Sequence, residues 1–180
     1  IYGETEDITL GNLLDMFGRS AGLASPGGPE IERLAMKGKS FIELPYTVKG
    51  NDVSYSGLLT AATKLLQAGR PIEDLCFSVQ EVSFSMLAEA AERSLAHTEK
   101  KELLLVGGVA SNLALRKKLE IVAGEHQADF RAVDPKFAGD CGAQISWTGT
   151  LALSRQMFVD IERSQVKPRW RLDEVDVPWR

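Results

Sequence analysis

The 180-residue sequence lacks the features that mark several specialised classes of protein. No apolar run is long enough to span a membrane, and no signal peptide opens the chain. The two cysteines, Cys76 and Cys141, form no CxxC motif, which favours a reducing cytosol over a disulfide-stabilised fold. The two histidines, His97 and His126, lie in no metal-binding spacing. The chain begins with Ile1, so we expect a processed product or a part of a longer polypeptide.

Charge and composition are those of an ordinary globular protein. Hydrophobic residues make up 44% and charged residues 26% of the chain, and 180 residues are enough for one substantial core or two small ones. The net charge is −4 and no basic face is evident, so bulk electrostatics do not indicate a nucleic-acid-binding domain.

The most informative stretch is residues 102–112, with the sequence ELLLVGGVASN. Leu103–Val106 predict a short buried parallel strand, and Gly107 and Gly108 end it. Ser111 or Asn112 then starts a helix with an apolar side formed by Leu113, Leu115, Leu119 and Val122. A strand, a glycine turn and a helix start can hold phosphate, because the backbone comes close and N–H groups face the anion. An ordinary strand-to-helix turn with a capping residue is the alternative, since the segment is neither a P-loop nor a complete Rossmann fingerprint.

Two further segments could face a ligand. Residues 10–21 predict a helix that places Asp15 on one side with Gly11 and Gly18, where a ligand could approach. The alternative is a solvated carboxylate beside glycines that permit close helix packing. After the break at residues 24–29, a helix over 30–37 has Glu32 pointing away from its apolar residues.

The remaining elements are ordinary, and the chain divides into a main domain over residues 1–164 and an extended tail over 165–180. A hairpin is predicted from strands over 41–46 and 53–55, and a further strand over 130–133 joins the sheet of Leu103–Val106. The remaining predicted helices cover residues 58–67, 72–97 and 143–158.

Four segments, in order and at the appropriate approximate spacing, resemble one family. They are 26–32 (PGGPEIE), 54–58 (SYSGL), 107–112 (GGVASN) and 139–143 (GDCGA). Together they make the chain similar to the tRNA threonylcarbamoyladenosine transferases, also named glycoproteases or O-sialoglycoprotein endopeptidases. Residues 169–179 (RWRLDEVDVPW) look like the archaeal and eukaryotic branch, the catalytic subunit of the KEOPS complex.

The resemblance implies an α/β fold. It would be a portion, mainly the carboxy-terminal lobe, of the two-lobed nucleotide-binding fold shared by actin, the Hsp70 ATPase and sugar kinases (ASKHA). The implied activity transfers threonylcarbamoyl from threonylcarbamoyl-adenylate to the adenosine next to the anticodon of tRNA. One iron or zinc ion per full-length subunit and ATP or threonylcarbamoyl-adenylate are the implied cofactors. The implied partners are tRNA, a small atypical protein kinase and other KEOPS subunits. The implied location is cytoplasmic, and also nuclear in a eukaryote.

The resemblance also implies roles for individual residues. Asp15 and Glu32 would hold the ribose hydroxyls, with Gly28 as a close backbone neighbour. The adenine and phosphate side would be lined by Gly107, Gly108 and Asn112. Asp140 would be a metal ligand, although an Asp just before a helix is also a natural N-cap.

The chain departs from the family in its missing parts. The family's His-x-x-x-His helix and amino-terminal phosphate loop have no counterpart in this sequence. We therefore expect the carboxy-terminal part of such a protein, catalytically inactive alone, and we assign no general base. Two alternatives are a protein-interaction lobe and another ATP-dependent enzyme of the same fold, such as a sugar kinase. A metalloprotease is disfavoured because no HExxH motif is present.

Overall fold

The computed structural model describes residues 1–168 and 170–179. Arg169 and Arg180 of the predicted tail lie outside the described residues, as does the side chain of Leu172. The helices are α1 (Leu10–Ser20), α2 (Gly27–Ala35), α3 (Ser56–Gln67), α4 (Ile72–Thr98), α5 (Leu113–Glu125) and α6 (Gly142–Ser154). The strands are β1 (Val48–Lys49), β2 (Asp52–Val53), β3 (Glu102–Leu105) and β4 (Asp129–Ala132). Short 3₁₀ turns cover Gly108–Ser111, Pro135–Phe137, Ile161–Arg163 and Leu172–Glu174.

The chain forms two compact units. The large unit is Tyr2–Ala138, and the small unit is Gly139–Arg180 together with Ile1. The residues of the predicted tail all belong to the small unit. The division between residues 164 and 165 stays a prediction.

The core of the large unit is built around α4. The predicted stripe of this helix is buried throughout: Leu75, Val79, Val82, Met86 and Ala90. Helices α2, α3 and α5 pack against it, and α1 packs against α2 and α3. The apolar face of α1 buries Leu13, Leu14 and Phe17, as its helical spacing predicted. The hydroxyl oxygen of Thr9 caps this helix by accepting a hydrogen bond from the Asn12 N–H at 3.2 Å.

Strands β3 and β4 pair in parallel, with Leu103 opposite Phe130. The parallel pairing confirms the prediction, but the expectation of a fully buried strand is wrong. Leu103 and Leu105 pack against the core, whereas Leu104 is 63% exposed. Within the described residues the sheet has two strands, and the side chains of β3 alternate between the core and the exposed face.

The strand predicted over residues 41–46 is not formed. Side chains of α4 instead accept hydrogen bonds from Ile42 and from the two residues just before this segment. Asp74 accepts from the N–H groups of Lys39 and Ser40, and Ser78 Oγ accepts from the Ile42 N–H at 2.8 Å. The hairpin itself is formed at the predicted turn, as the antiparallel pair of β1 and β2, and its first strand begins at Val48 rather than at residue 41.

Helix α2 begins at Gly27, three residues before the predicted start. Pro26 is its extended N-cap residue, and Pro29 lies in the first turn, where its missing N–H costs nothing. Both predicted inward residues, Ile31 and Leu34, are buried. The earlier start places Gly27 and Gly28 inside the helix, where they face other elements.

The small unit contains α6, which ends at Ser154 rather than near residue 158. Its predicted apolar side chains include Ile145, Trp147 and Leu153, and all three are exposed. Among the described residues, no helix combines the length and the apolar character that crossing a membrane requires.

Candidate functional site

One cavity of about 570 Å³ lies in the large unit. The starts of α1 and α2 and the connection from β3 to α5 line it, together with Leu87 of α4. Its volume is within the range of about 300–1,000 Å³ that is usual for small-molecule sites. The lining includes all six residues predicted to bind nucleotide, namely Asp15, Gly28, Glu32, Gly107, Gly108 and Asn112.

Asp15 is partly buried on α1 and binds the start of α2. Its Oδ1 accepts a hydrogen bond from the Gly27 N–H at 2.8 Å. Among the described residues, Asp15 Oδ2 has no hydrogen-bond donor, so this oxygen is available to a ligand hydroxyl. Asp15 Oδ1 therefore satisfies one of the unpaired N–H groups at the start of α2, and Asp15 Oδ2 remains as an acceptor that a ligand in the cavity could use.

Close packing of two glycines brings Asp15 near α2. A Cβ added to Gly27 would lie 2.8 Å from the Leu14 carbonyl oxygen and 3.2 Å from the Asp15 Cα. A Cβ added to Gly18 would lie 3.0 Å from the Gly27 Cα. Larger residues at these positions would separate the helices, and with them Asp15 and Glu32.

Glu32 joins α2 to the start of α5. Its Oε1 accepts a hydrogen bond from the Leu113 N–H at 2.7 Å. Among the described residues no donor contacts Glu32 Oε2. Two carboxylates on neighbouring helices thus line the cavity, each with one oxygen bound to the backbone and one oxygen without a donor.

Asn112 caps α5 rather than facing a ligand with a free amide. Its Oδ1 accepts from the Ala114 N–H at 3.0 Å and the Leu115 N–H at 3.1 Å. Since Glu32 occupies the Leu113 N–H, the first three N–H groups of α5 are already bound. The capping bonds of the alternative interpretation are therefore present, and binding of phosphate near this helix start stays a prediction.

The glycine turn after β3 presents backbone to the cavity. Gly107 has a φ of +93°, which an L-residue with a side chain rarely adopts. Among the described residues, no atom outside the glycine and its two chain neighbours lies within 4 Å of a Cβ built on Gly107 or Gly108. The side chain of Arg116 holds the following 3₁₀ turn by donating hydrogen bonds to the carbonyl oxygens of Ala110 and Val133. A ligand can therefore approach the backbone of the two glycines closely.

Residues 1–147 match the TsaD family model, described as tRNA N6-adenosine threonylcarbamoyltransferase. The chain belongs to this family.

Several curated relatives agree with the family model. A tRNA N6-adenosine threonylcarbamoyltransferase of Saccharolobus islandicus (strain M.14.25 / Kamchatka #1) is 50% identical over 184 residues, covering 100% of this chain and 55% of that protein. The Thermofilum pendens protein of the same name is 52% identical over 181 residues, covering 100% of this chain and 54% of that protein. A probable bifunctional tRNA threonylcarbamoyladenosine biosynthesis protein of Methanothermobacter thermautotrophicus is 51% identical over 179 residues, covering 99% of this chain and 34% of that protein. The chain spans about half the length of the first two relatives.

The crystal structure of T. kodakarensis HypF shares the fold. It matches with a TM-score of 0.63 and 22% sequence identity, over 82% of this chain and 20% of that one. This likeness and the family match confirm the predicted α/β fold of the actin, Hsp70 and sugar-kinase class.

The described residues do not complete the metal site that the resemblance to the family implies. Asp140 is exposed in the small unit, and the described residues contain no group of three His, Cys, Asp or Glu side chains that could hold a metal ion. His97 instead contacts the ring of Tyr2, and His126 lies 3.7 Å from Glu92. The residues described here do not by themselves fit a bound iron or zinc ion.

Asp140 is not the cap of α6 either. The N-cap residue is Cys141, whose side chain makes no capping hydrogen bond among the described residues. The capping alternative for Asp140 is therefore wrong, and its role as a metal ligand stays a prediction.

Sequence reasoning missed Asp7, which organises a second family segment. Its carboxylate accepts hydrogen bonds from the hydroxyl groups of Ser54 and Ser56 at 2.6 Å each and from the Tyr55 N–H at 2.9 Å. Burial acts to raise the pKa of Asp7, but the bonds from Ser54, Ser56 and the backbone outweigh it and hold that pKa far below its usual value. Burial, with the charge of Asp7 as a smaller cause, raises the pKa of Tyr55 to about 12. The only signal in the sequence was the pair Ser54 and Ser56, in a segment that resembles the family. Nothing near them in the sequence indicated the carboxylate that they bind.

Proposed function

We propose that this chain is the nucleotide-binding portion of a tRNA N6-adenosine threonylcarbamoyltransferase. The observation that supports this most is that Asp15, Gly28, Glu32, Gly107 and Gly108 converge on one cavity from three segments of the chain. The family membership supports the class of reaction, and the cavity supports the type of ligand.

The cavity would hold the adenosine part of ATP or of threonylcarbamoyl-adenylate. Asp15 Oδ2 and Glu32 Oε2 would accept hydrogen bonds from the ribose hydroxyls, because their other oxygens are held by Gly27 and Leu113. The backbone at Gly28 and at Gly107–Gly108 would lie against the nucleotide, since side chains are missing there. Asn112 would act indirectly, by fixing the start of α5.

The reaction we propose transfers a threonylcarbamoyl group to tRNA. The amino nitrogen of the adenosine next to the anticodon would form a bond to the carbamoyl carbon, and the bond from that carbon to the adenylate phosphate oxygen would break. The amino group would lose a proton, and AMP would leave with the bonding electron pair. The contribution of this chain would be to bind and orient the adenylate, a positioning effect rather than proton transfer.

Partners and metal belong to the same proposal. Asp140 would supply one carboxylate ligand to an iron or zinc ion in the complete protein. The complete protein would act on tRNA in the cytoplasm, together with a small protein kinase and other KEOPS subunits. Trp170, which is 58% exposed with the Lys167 Nζ 4.9 Å from its ring centroid, would belong to a surface that contacts such a partner.

Calorimetric titration of the complete gene product with ATP tests the nucleotide site. Asp15→Asn keeps an oxygen for the Gly27 N–H but replaces the second acceptor by a donor. Loss of a charged hydrogen bond of about 1.5–3 kcal/mol should weaken binding at least about tenfold. Asp129→Asn, at an exposed position of β4, is the control and should bind like the wild type. Equal affinity of the Asp15 variant and the wild type would refute the assignment.

A further inference from the structure

A buried pair of amides lies behind the cavity. Gln80 is 7% exposed and Asn112 is 6% exposed, so both side chains are more than nine-tenths buried. The Nδ2 of Asn112 donates a hydrogen bond to Gln80 Oε1 at 2.8 Å. Gln80 comes from the middle of α4, and Asn112 ends the turn that follows β3.

The hydrogen bonds fix the orientation of the Asn112 amide. Its Oδ1 faces two backbone N–H donors of α5, so its Nδ2 must point the other way. Gln80 is the acceptor that satisfies that Nδ2. Removing the acceptor would leave a buried amide donor unpaired, which costs more than the net value of a hydrogen bond.

Asn112 directly follows the backbone that lines the cavity. The 3₁₀ turn Gly108–Ser111 ends at Asn112, whose N–H donates to the Val109 carbonyl oxygen at 3.0 Å. The adjacent N–H of Leu113 binds Glu32, one of the two carboxylates of the cavity. The Gln80–Asn112 bond therefore anchors the point at which the glycine turn, the start of α5 and Glu32 meet.

We infer that Gln80 is a positioning residue for the nucleotide cavity. It acts through Asn112 and Glu32 rather than by touching the ligand, and this role rests on the function proposed above. A role in general stability would require only that α4 be packed, whereas positioning requires that an acceptor face Asn112 Nδ2.

Paired substitutions separate the two roles. Gln80→Glu keeps an acceptor for Asn112. Asn112→Asp keeps the cap, and Gln80 can rotate its amide to donate Nε2 to the new carboxylate. The double variant, Gln80→Glu with Asn112→Asp, has two carboxylates in place of the amide pair that is joined by a 2.8 Å hydrogen bond. These two carboxylates repel each other. Gln80→Leu removes the acceptor at similar size, and Val82→Ala, a buried change on the same helix, is the control for stability.

The measurement is the dissociation constant for ATP in the complete gene product, with the melting temperature taken in parallel. Gln80→Glu should bind within about threefold of the wild type, and Gln80→Leu should bind at least about tenfold more weakly. The double variant should bind more weakly than the product of its two single variants predicts. Val82→Ala should lower the melting temperature without that loss of affinity.

Two failures are distinguishable. If the wild type does not bind ATP, the proposed function fails and this inference fails with it. If the wild type binds ATP but Gln80→Leu binds no more weakly than Val82→Ala, or the double variant binds as the product of its single variants predicts, the positioning role alone is overturned. Should Gln80→Leu not fold, the three carboxylate variants still decide the question.

Discussion

Glu32 and Leu113 lie 81 positions apart in sequence and are joined by a hydrogen bond of 2.7 Å from the Leu113 N–H to Glu32 Oε1. The bond places a carboxylate of α2 at the start of α5, where a helix N-terminus favours negative charge. One side chain thereby caps a helix and presents its second oxygen to the cavity. These two tasks can be separated by substitution.

Glu32→Ala should lower both stability and nucleotide affinity, whereas Glu32→Gln should lower mainly affinity. Alanine leaves the Leu113 N–H without its acceptor, which should cost about 1 kcal/mol of unfolding free energy, as for loss of a helix cap. Glutamine keeps an oxygen for that N–H but loses the charge and the second acceptor. Chemical denaturation and ATP titration of both variants measure the two effects. Equal loss of stability in both variants would contradict the separation.

Gly27→Ala should destabilise the protein, and Gly28→Ala should not. The new methyl group at position 27 would lie 2.8 Å from the Leu14 carbonyl oxygen, which is backbone and cannot rotate away. Overpacking of this kind costs about 1–3 kcal/mol. At position 28 the nearest atom is the Leu14 Cδ1 at 3.8 Å, an ordinary contact.

The two alanine variants form a matched pair, because both change a glycine in the first turn of α2. Thermal melting measures the difference in stability. Gly28→Ala should instead reduce ATP affinity, since Gly28 lines the cavity. A melting temperature for Gly27→Ala equal to that of Gly28→Ala would show that α1 and α2 do not pack as closely as described.

Asp7 should contribute stability that disappears at acidic pH. Burial opposes its charge, but the hydrogen bonds from Ser54, Ser56 and the backbone prevail and depress its folded pKa below the unfolded value near 3.8. A depressed carboxyl pKa stabilises the fold above the unfolded pKa, and the stabilisation is lost as the pH falls through the window between the two values. Asp7→Asn should therefore destabilise the protein by roughly 1–2 kcal/mol at pH 7, a range reduced for the exposure of this residue.

The check is denaturation of the wild type and Asp7→Asn at pH 7 and at pH 3. The difference between them should shrink at the lower pH, because the wild type loses its advantage there. Asp129→Asn serves as the control for general effects of removing a surface carboxylate. A difference that stays constant with pH would mean that the Asp7 charge does not stabilise the fold.

The helices were predictable from sequence where a long apolar period and a clear break coincided. Helix α4 was predicted from the helical spacing of its apolar residues between Leu75 and Ala90. The turn at Gly69 and Pro71 indicated where it begins. Residues 41–46 misled because their alternation resembles a strand. The Ile42 N–H is instead bound by Ser78, and the N–H groups of Lys39 and Ser40 just before it are bound by Asp74, whose proximity no local pattern reveals.

The candidate site was predictable only in part. Spacing alone left the Gly107–Asn112 turn undecided between an ordinary cap and a phosphate site, and the resemblance to the family brought Asp15 and Glu32 into the same hypothesis. The cap of α5 by Asn112 was one of the two interpretations that the sequence allowed, whereas the bond from Leu113 to Glu32 could not be predicted because it spans 81 positions. Gln80 could not be recognised either, because it lies on a helix predicted mainly from its apolar residues. The residue to which it is hydrogen-bonded, Asn112, is 32 positions away.

Asp140→Asn should remove metal from the complete gene product without lowering its stability. The structure places Cys141 at the N-cap of α6 and gives this helix no side-chain cap, so Asp140 has no capping bond to lose. Its side chain is exposed, and substitutions at exposed positions without a capping or buried bond usually change stability by less than about 0.5 kcal/mol.

The same substitution should lower the metal content. A neutral amide binds a hard or borderline cation more weakly than the carboxylate of a metal ligand does, so the bound iron or zinc should fall well below one ion per subunit. Elemental analysis of the purified variant, with Asp129→Asn carried through the same purification, measures this directly. A full metal complement in Asp140→Asn together with unchanged melting would show that this aspartate neither binds metal nor supports the helix.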